Sequence, residues 1–302
     1  MLPFRLVYHP RYNLHLGRHV FPSQKYALIR EKLLRDGFAD ESDFVAPDPA
    51  ADDDVLLVHD AEWVRRLKDG TLTYTDLLRL EIPWSRETVD AFWFSAGGSI
   101  LAARNALSHR IGYNIGGGFH HAFRDHGEGF CAINDIAIAI RRLQKDGLIE
   151  RAMIVDCDVH QGNGTAAIFA GDSTVFTISL QQANNYPLVK PPSDIDVNLD
   201  DGVGDEEYLA RLGEAFEAGL SRFQPDLLMY VAGADPYYDD QLGGLSLSID
   251  GLQQRDRLVL SGALCRAIPA AIVLAGGYAR HTADTVAIHC NTARAAAEVL
   301  AQ

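Results

Sequence analysis

The sequence lacks the features that mark secreted and membrane-bound proteins. Its four cysteines form no C-x-x-C pair and have no spacing typical of a disulfide scaffold, which fits a reducing compartment. No apolar run reaches the roughly 18 residues that cross a bilayer, and the amino terminus has no basic segment followed by an apolar stretch. We therefore expect a cytoplasmic protein without a membrane span.

Positive charge is also scarce. The chain has 27 Lys and Arg against 41 Asp and Glu, a net charge of -14. This excess disfavours binding to nucleic-acid backbones and mildly favours cationic substrates such as lysine-rich peptides or polyamines, unless it serves only to solvate the surface. We expect no nucleic-acid partner.

The residues that are present predict an α/β fold. Six apolar, β-branched runs alternate with helical patterns, and no repeat or linker divides the 302 residues. This alternation predicts one domain over 1–302, with a mostly parallel central sheet and helices on both faces. We expect Asn134, Asp205 and Asp250 to cap helices, and residues 186–207 to form a long irregular loop beside the site.

The run "IVDCDVHQGNG" ends a predicted strand with three polar side chains. Alternation along an extended chain projects Asp156, Asp158 and His160 to the same side. Two carboxylates and an imidazole packed together repel one another and are costly to desolvate unless a cation lies among them. A metal site is one interpretation, and an exposed strand end whose acids cap the next helix is the other.

Three further strands end in chemically useful residues. One runs into His120 and His121, another into Asp235, and a third into Tyr278. Because ligands of open parallel sheets gather at the carboxyl ends of the strands, we expect these side chains and the D-x-D-x-H set to lie at one edge.

Five motifs together identify a family resemblance. In order and spacing, "GGGFHHAF", "GEGFCAIND", "DCDVHQGNGT", "AGADP" and "AGGY" resemble the zinc-dependent histone deacetylases of the arginase/deacetylase fold. The likeness runs from "HPRYN" near the start to "GGYARHTA" near the end. Within the family, "DVHQGNG" and "DDQLGGLSLS" are most similar to class IV enzymes.

The resemblance implies one catalytic zinc ion per chain. Asp158, His160 and Asp235 would bind it and leave positions open for water and the substrate carbonyl. The arginase branch of the fold adds two carboxylates for a second metal. Those places hold Gly162 and Tyr237 here, which disfavours a two-metal enzyme.

The resemblance also implies roles around the metal. His121 would act as general base and then general acid, and His120 would support it electrostatically. Asp156 would orient His120 and Asn163 would orient His121. Tyr278 would donate a hydrogen bond to the developing oxyanion.

Other family positions match substrate and ion sites. Gly129 and Phe130 would line a tunnel for the acyl-lysine, and Tyr186 is a candidate for the facing wall. The resemblance also implies a structural monovalent cation, bound by the backbone carbonyls of Asp158, His160 and Leu180 and by the side chains of Asp156 and Ser179. Oxygen ligands of this type suit K⁺.

One residue departs from most of the family, which has aspartate where this chain has Asn163. The amide can accept a hydrogen bond from a histidine but supplies no charge to stabilise an imidazolium. We therefore expect the same mechanism with a different pH response.

The resemblance implies a zinc hydrolase that removes acyl groups from the ε-amine of lysine in proteins or peptides. Acetyl is the first candidate, and the class IV likeness admits long-chain fatty acyl groups. A deacetylase of small cationic molecules such as acetylpolyamines and a catalytically silent binding module are the alternatives. The sequence leaves the oligomeric state open.

Overall fold

The protein is built on one eight-stranded sheet. The computed structural model describes residues 1–302. The strands are β1 Arg5–Val7, β2 Phe44–Val45, β3 Ile111–Asn114, β4 Ala152–Asp156, β5 Val175–Gln182, β6 Ile195–Leu199, β7 Leu227–Val231 and β8 Ala270–Val273. They lie in the order β2-β1-β3-β8-β7-β4-β5-β6, and every neighbouring pair is parallel.

Ten α-helices flank this sheet on both faces. They are α1 Lys25–Arg35, α2 Asp52–Val55, α3 Ala61–Asp69, α4 Tyr74–Leu80, α5 Arg86–His109, α6 Asp135–Lys145, α7 Asn163–Ile168, α8 Asp205–Arg222, α9 Ile249–Leu264 and α10 Thr282–Leu300. One hydrophobic cluster of 91 buried residues joins helices and sheet. None of the helices combines the length and apolar character needed to span a membrane.

The predicted α/β architecture is confirmed, and the strand count is corrected. All six predicted strands form, and β2 and β6 were missed. The first is only two residues long. The second lies inside the segment 186–207, which was wrongly expected to be irregular throughout. Its side chains alternate between buried and exposed, as on an edge strand with one covered face, so no apolar run reveals it.

Only one of the three expected helix caps is correct. The side chain of Asn134 accepts a hydrogen bond from the backbone N–H of Ala137 at the start of α6. Asp205 is instead the first residue of α8, and its carboxylate accepts hydrogen bonds from the backbone and hydroxyl of Ser248. Ser248 caps α9, so Asp250 does not. The Asp205 carboxylate thus links the start of α8 to the start of α9.

A buried carboxylate supports the loop that follows β3. Asp135 accepts hydrogen bonds from the N–H groups of Gly118 and Phe119 at 3.0 and 2.7 Å and from the Ser99 hydroxyl at 2.5 Å. Burial raises the pKa of Asp135, and these hydrogen bonds oppose the rise. The helix α6 therefore holds the backbone that leads to the histidine pair.

A buried arginine supports the loops after β4 and β7. Arg255 of α9 donates to the carbonyls of Gly233 and Cys157 at 2.6 and 3.3 Å, and it is paired with Asp256 at 2.9 Å. Both carbonyls lie within two residues of a predicted metal ligand. Because the guanidinium has several donors in a fixed plane, it sets the relative position of the two loops.

We predict that Asp135→Ala lowers the free energy of unfolding by about 2 to 5 kcal/mol, because two buried N–H groups lose their acceptor. Urea denaturation followed by circular dichroism measures the change. The control is Asp200→Ala, at an exposed loop position. Equal stability of the two variants would show that Asp135 does not hold the loop.

Candidate active site

The four central strands deliver the predicted residues to one edge of the sheet. The backbone after β3 turns through Gly117 and Gly118, whose φ angles are +70° and +87°. A Cβ on Gly118 would also lie 2.4 Å from the backbone nitrogen of Ala275, after β8. Glycine is therefore required both for the left-handed turn and for the close approach of the two strand ends.

The structure brings the three predicted metal ligands together. The ligand atoms of Asp158, His160 and Asp235 all lie within 4.8 Å of one another, and all three residues are buried. Asp158 Oδ1 is 3.0 Å and Asp235 Oδ2 is 3.3 Å from His160 Nδ1. No other such group of His, Cys, Asp and Glu occurs in the chain.

The donor set fits a bound cation. Asp235 Oδ2 is buried and accepts no hydrogen bond, whereas Oδ1 accepts one from the backbone of Val159. Burial, and next the Asp158 carboxylate, raise the pKa of Asp235 to about 7. A Cβ on Gly276 would lie 1.9 Å from Asp235 Oδ2, so glycine keeps the space beside the carboxylates clear. Two buried carboxylates and an imidazole are a donor set typical of a metal site.

The two histidines lie side by side, 4.1 Å apart between ring centres, and each is held by the partner that the resemblance implied. His120 Nδ1 is 2.7 Å from Asp156 Oδ2, and His121 Nδ1 is 2.7 Å from Asn163 Oδ1. Nε2 of His121 makes no hydrogen bond within the chain, and His121 lines a cavity that His160 and Tyr278 also line.

The two imidazoles differ in charge. Burial alone would lower the pKa of His120, but the charges of Asp156 and Asp158 and the hydrogen bond to Asp156 raise it to about 9. Burial, followed by the charges of His120 and His160, lowers the pKa of His121 well below its usual value. His121 is therefore the neutral partner, as a proton acceptor at neutral pH must be.

Tyr278 lines the same cavity. Its backbone N–H donates to Asp240 Oδ2 at 2.6 Å, and Gly277 before it has a φ of +135°, which only glycine adopts readily. The Tyr278 hydroxyl makes no hydrogen bond within the chain. Burial, and then the charges of Asp158 and Asp235, raise its pKa far above the usual value, so the phenol remains a donor.

A cavity of about 180 Å³ connects these groups to the surface. The ring of Phe130 and the ring of Tyr186 form part of its wall. A Cβ on Gly129 would lie 2.7 Å from the His121 ring and 3.0 Å from Tyr186, so a side chain there would block the passage. The nine lining residues are Glu81, His121, Gly129, Phe130, His160, Asn185, Tyr186, Leu242 and Tyr278.

The residues expected at the monovalent cation site also lie at this edge. Ser179, paired with Asp156 across β5 and β4, has a buried hydroxyl without a hydrogen-bond partner. The carbonyls of Asp158 and His160 accept no hydrogen bond from the chain. These oxygens are free to bind a cation.

Two acidic residues near the cavity were missed from the sequence. Glu81 lines the cavity directly. Glu128 lies behind the histidine pair, where its Oε2 accepts a hydrogen bond from Asn163 Nδ2 at 2.9 Å. The Asn163 amide therefore does have a carboxylate nearby, one hydrogen bond further from His121 than the family's aspartate would be.

The family model described as a histone deacetylase domain matches residues 19–293. The chain belongs to the histone deacetylase family. This family member is 34% identical to Histone deacetylase 2 of Arabidopsis thaliana over 89% of its own length and 72% of the plant protein. It is 42% identical to an uncharacterized Picosynechococcus protein over 98% of its own length and 99% of that protein.

Solved structures agree with this assignment. The crystal structure of the HDA15 HD domain superposes with a TM-score of 0.82 at 25% identity, over 98% of this family member and 90% of the solved chain. The predicted family and the arginase/deacetylase-like fold are therefore confirmed. The assignment to class IV stays a prediction.

We predict that this histone deacetylase family member binds one divalent transition-metal ion per chain and that Asp158→Ala and His160→Ala each abolish binding. Removing one of three ligands leaves the others too few to hold the ion tightly. Plasma mass spectrometry of dialysed protein measures the ratio. The control is His109→Ala, at an exposed helix end. Two ions per chain, or an undiminished ratio in both ligand variants, would contradict the assignment.

Proposed function

We propose that the protein is a zinc-dependent amidohydrolase that removes acyl groups, foremost acetyl, from the ε-amine of lysine in proteins or peptides. One observation carries this proposal. His121, with its unbonded Nε2, and Tyr278, with its unbonded hydroxyl, line one cavity together with His160, and His160 lies within 4.8 Å of Asp158 and Asp235. Together they supply the metal ligands, the base and the oxyanion donor of a hydrolase.

Zinc is the metal we propose, because one imidazole and two carboxylates suit a catalytic zinc site that keeps an open position. Asp158, His160 and Asp235 would hold it. When bound, Zn²⁺ supplies a Lewis acid that polarises the scissile carbonyl and lowers the pKa of water.

The histidines move the protons of the reaction. His121 Nε2 takes a proton from the attacking water and later gives it to the leaving ε-amine. This role needs a neutral imidazole at the start, which agrees with the lowered pKa of His121. His120, held by Asp156, supports the developing negative charge without transferring a proton.

Tyr278 stabilises the tetrahedral intermediate. Its hydroxyl donates a hydrogen bond to the oxygen on which negative charge develops. Phe130 and Tyr186 provide apolar walls for the methylene chain of lysine, and the Gly129 carbonyl accepts the substrate amide proton. The intact base and donor positions argue against a silent binding module.

We also propose a structural K⁺ at the oxygen cluster described above. The unpartnered Ser179 hydroxyl and the unused carbonyls of Asp158 and His160 support it, as does the nearby Asp156 carboxylate. For the compartment we propose the cytoplasm, since the four cysteines form no disulfide bond.

The space beyond the histidines favours a short acyl group. A second cavity of only about 10 Å³ shares His121 and Tyr278 as lining residues with the first and has Phe21, Phe119 and Cys131 among its walls. This volume is at the lower limit for a single water molecule. A long-chain acyl group would have to displace packed side chains, so we propose acetyl over fatty acyl substrates.

Small cationic molecules such as acetylpolyamines are the second candidate substrate class. Glu81 favours them, because it is the one carboxylate among the cavity-lining residues. It attracts a distant ammonium group of the substrate by its charge. An assay with acetylated polyamines beside acetyl-lysine peptides separates the two classes, and Glu81→Gln should raise KM only for the polyamines if they are the substrates.

We predict that Tyr278→Phe lowers kcat on an acetyl-lysine peptide by about 10²- to 10³-fold, the usual effect of removing one oxyanion donor. Metal content and the thermal midpoint should stay unchanged, because the hydroxyl makes no hydrogen bond within the folded chain. Steady-state kinetics with metal analysis tests this. Wild-type kcat in the variant would remove Tyr278 from the mechanism.

We predict that kcat/KM falls by about 10- to 100-fold from acetyl to octanoyl and myristoyl lysine, since forcing extra methylenes into a packed space is unfavourable. A peptide series with graded acyl chains measures the dependence. Phe21→Ala should recover part of the octanoyl activity by enlarging the second cavity. Faster hydrolysis of myristoyl than acetyl by the wild type would overturn the preference and favour the class IV long-chain activity.

A further inference from the structure

A hydrogen-bonded carboxylate lies behind the base. Glu128 Oε2 accepts from Asn163 Nδ2 at 2.9 Å and from the Tyr186 hydroxyl at 3.1 Å, and Oε1 lies 3.2 Å from His126 Nε2. We propose that Glu128 is a positioning residue that fixes the Asn163 amide and, through it, the tautomer of His121. The inference rests on the proposed role of His121 as the base.

The arrangement solves an ambiguity that asparagine creates. An amide can present either its oxygen or its nitrogen to a neighbour, and a neutral histidine can carry its proton on either ring nitrogen. If Asn163 turned its NH₂ group toward His121 Nδ1, the proton would reside on Nε2. His121 would then have no lone pair facing the cavity and could not accept a proton there.

Glu128 removes this ambiguity because a carboxylate only accepts hydrogen bonds. The NH₂ group of Asn163 must face Glu128, so its oxygen faces His121, 2.7 Å from Nδ1. Nδ1 then carries the proton, and Nε2 keeps its lone pair toward the cavity. An aspartate at 163 would need no such partner, since both of its oxygens accept.

Glu128 is itself held as a carboxylate. The hydrogen bond from His126 lowers its pKa, burial opposes this, and the bonds from Tyr186 and Asn163 lower it further. His126 also contacts Asp125, with Nδ1 2.7 Å from Oδ1. These contacts keep the acceptor in place on the side of Asn163 away from His121.

The first test is kinetic. Glu128→Ala removes the acceptor and lets the amide turn, so kcat should fall about 3- to 10-fold with little change in KM, following the fraction of molecules with the competent tautomer. Glu128→Gln can either accept from Asn163 or donate to it, so it orients the amide only in part, and kcat should lie between those of the wild type and Glu128→Ala.

The second test repeats both changes in an Asn163→Asp background. Position 163 then has two equivalent acceptors and nothing to orient, and Glu128 faces a second carboxylate. Glu128→Ala should no longer lower kcat, and Glu128→Gln should raise it, because its amide can donate to the new carboxylate. A general defect of the loop would lower kcat equally in both backgrounds, and that outcome would overturn the proposal.

The third test observes the tautomer without turnover. The ¹⁵N NMR shifts of the His121 ring in the zinc-loaded protein should report a proton on Nδ1 in the wild type. Glu128→Ala should give a mixture, and adding Asn163→Asp should restore the Nδ1 form. A wild-type spectrum in Glu128→Ala would refute the proposal. A shifted tautomer in a protein that hydrolyses no acyl-lysine would instead refute the proposed function alone. If Glu128→Ala fails to fold, the Glu128→Gln variants test the proposal: kcat should fall in the Asn163 background and rise in the Asn163→Asp background, and a change of the same sign in both would overturn it.

Discussion

The parallel direction of every strand is the constraint on which the site depends. In a parallel sheet all carboxyl ends meet at one edge, and here β3, β8, β7 and β4 are direct neighbours at the centre. Residues more than a hundred positions apart in sequence, such as His120 and Tyr278, therefore reach one cavity without any long excursion of the chain. The edge strands β2 and β6 carry none of the proposed catalytic or zinc-binding residues.

Buried charged side chains fix the positions of the loops that follow the central strands. Asp135 holds the backbone before the histidine pair, and Arg255 joins the loops that carry Asp158 and Asp235. Both groups are buried, and each bonds to two backbone groups of the loops and to one buried side chain, Ser99 for Asp135 and Asp256 for Arg255. Burying such charged groups is costly, and here their hydrogen bonds offset that cost while they hold the loops of the site in position.

The sequence was sufficient for the central sheet and for the residues that meet at its edge, because strand ends and motif spacing specify both. It was insufficient where an interaction depends on partners distant in sequence. Nothing around Asp205 indicates that its carboxylate binds Ser248 of another helix start. Likewise Glu128 is one polar residue in a glycine-rich loop, and its contact with Asn163, 35 residues further along the chain, forms only when this loop packs against the start of α7. Periodicity does not report contacts of this kind.

Tyr186 contacts both the cavity and the carboxylate that supports Asn163. Its ring is a wall of the cavity, perpendicular to the His121 ring at 4.9 Å, and its hydroxyl contacts the carboxylate behind Asn163. Replacing it with another apolar residue would preserve the wall but leave Glu128 with one donor fewer. A substitution of Tyr186 that changes the cavity wall therefore also weakens the support of Asn163 and His121, unless another residue of the loop supplies a donor to Glu128.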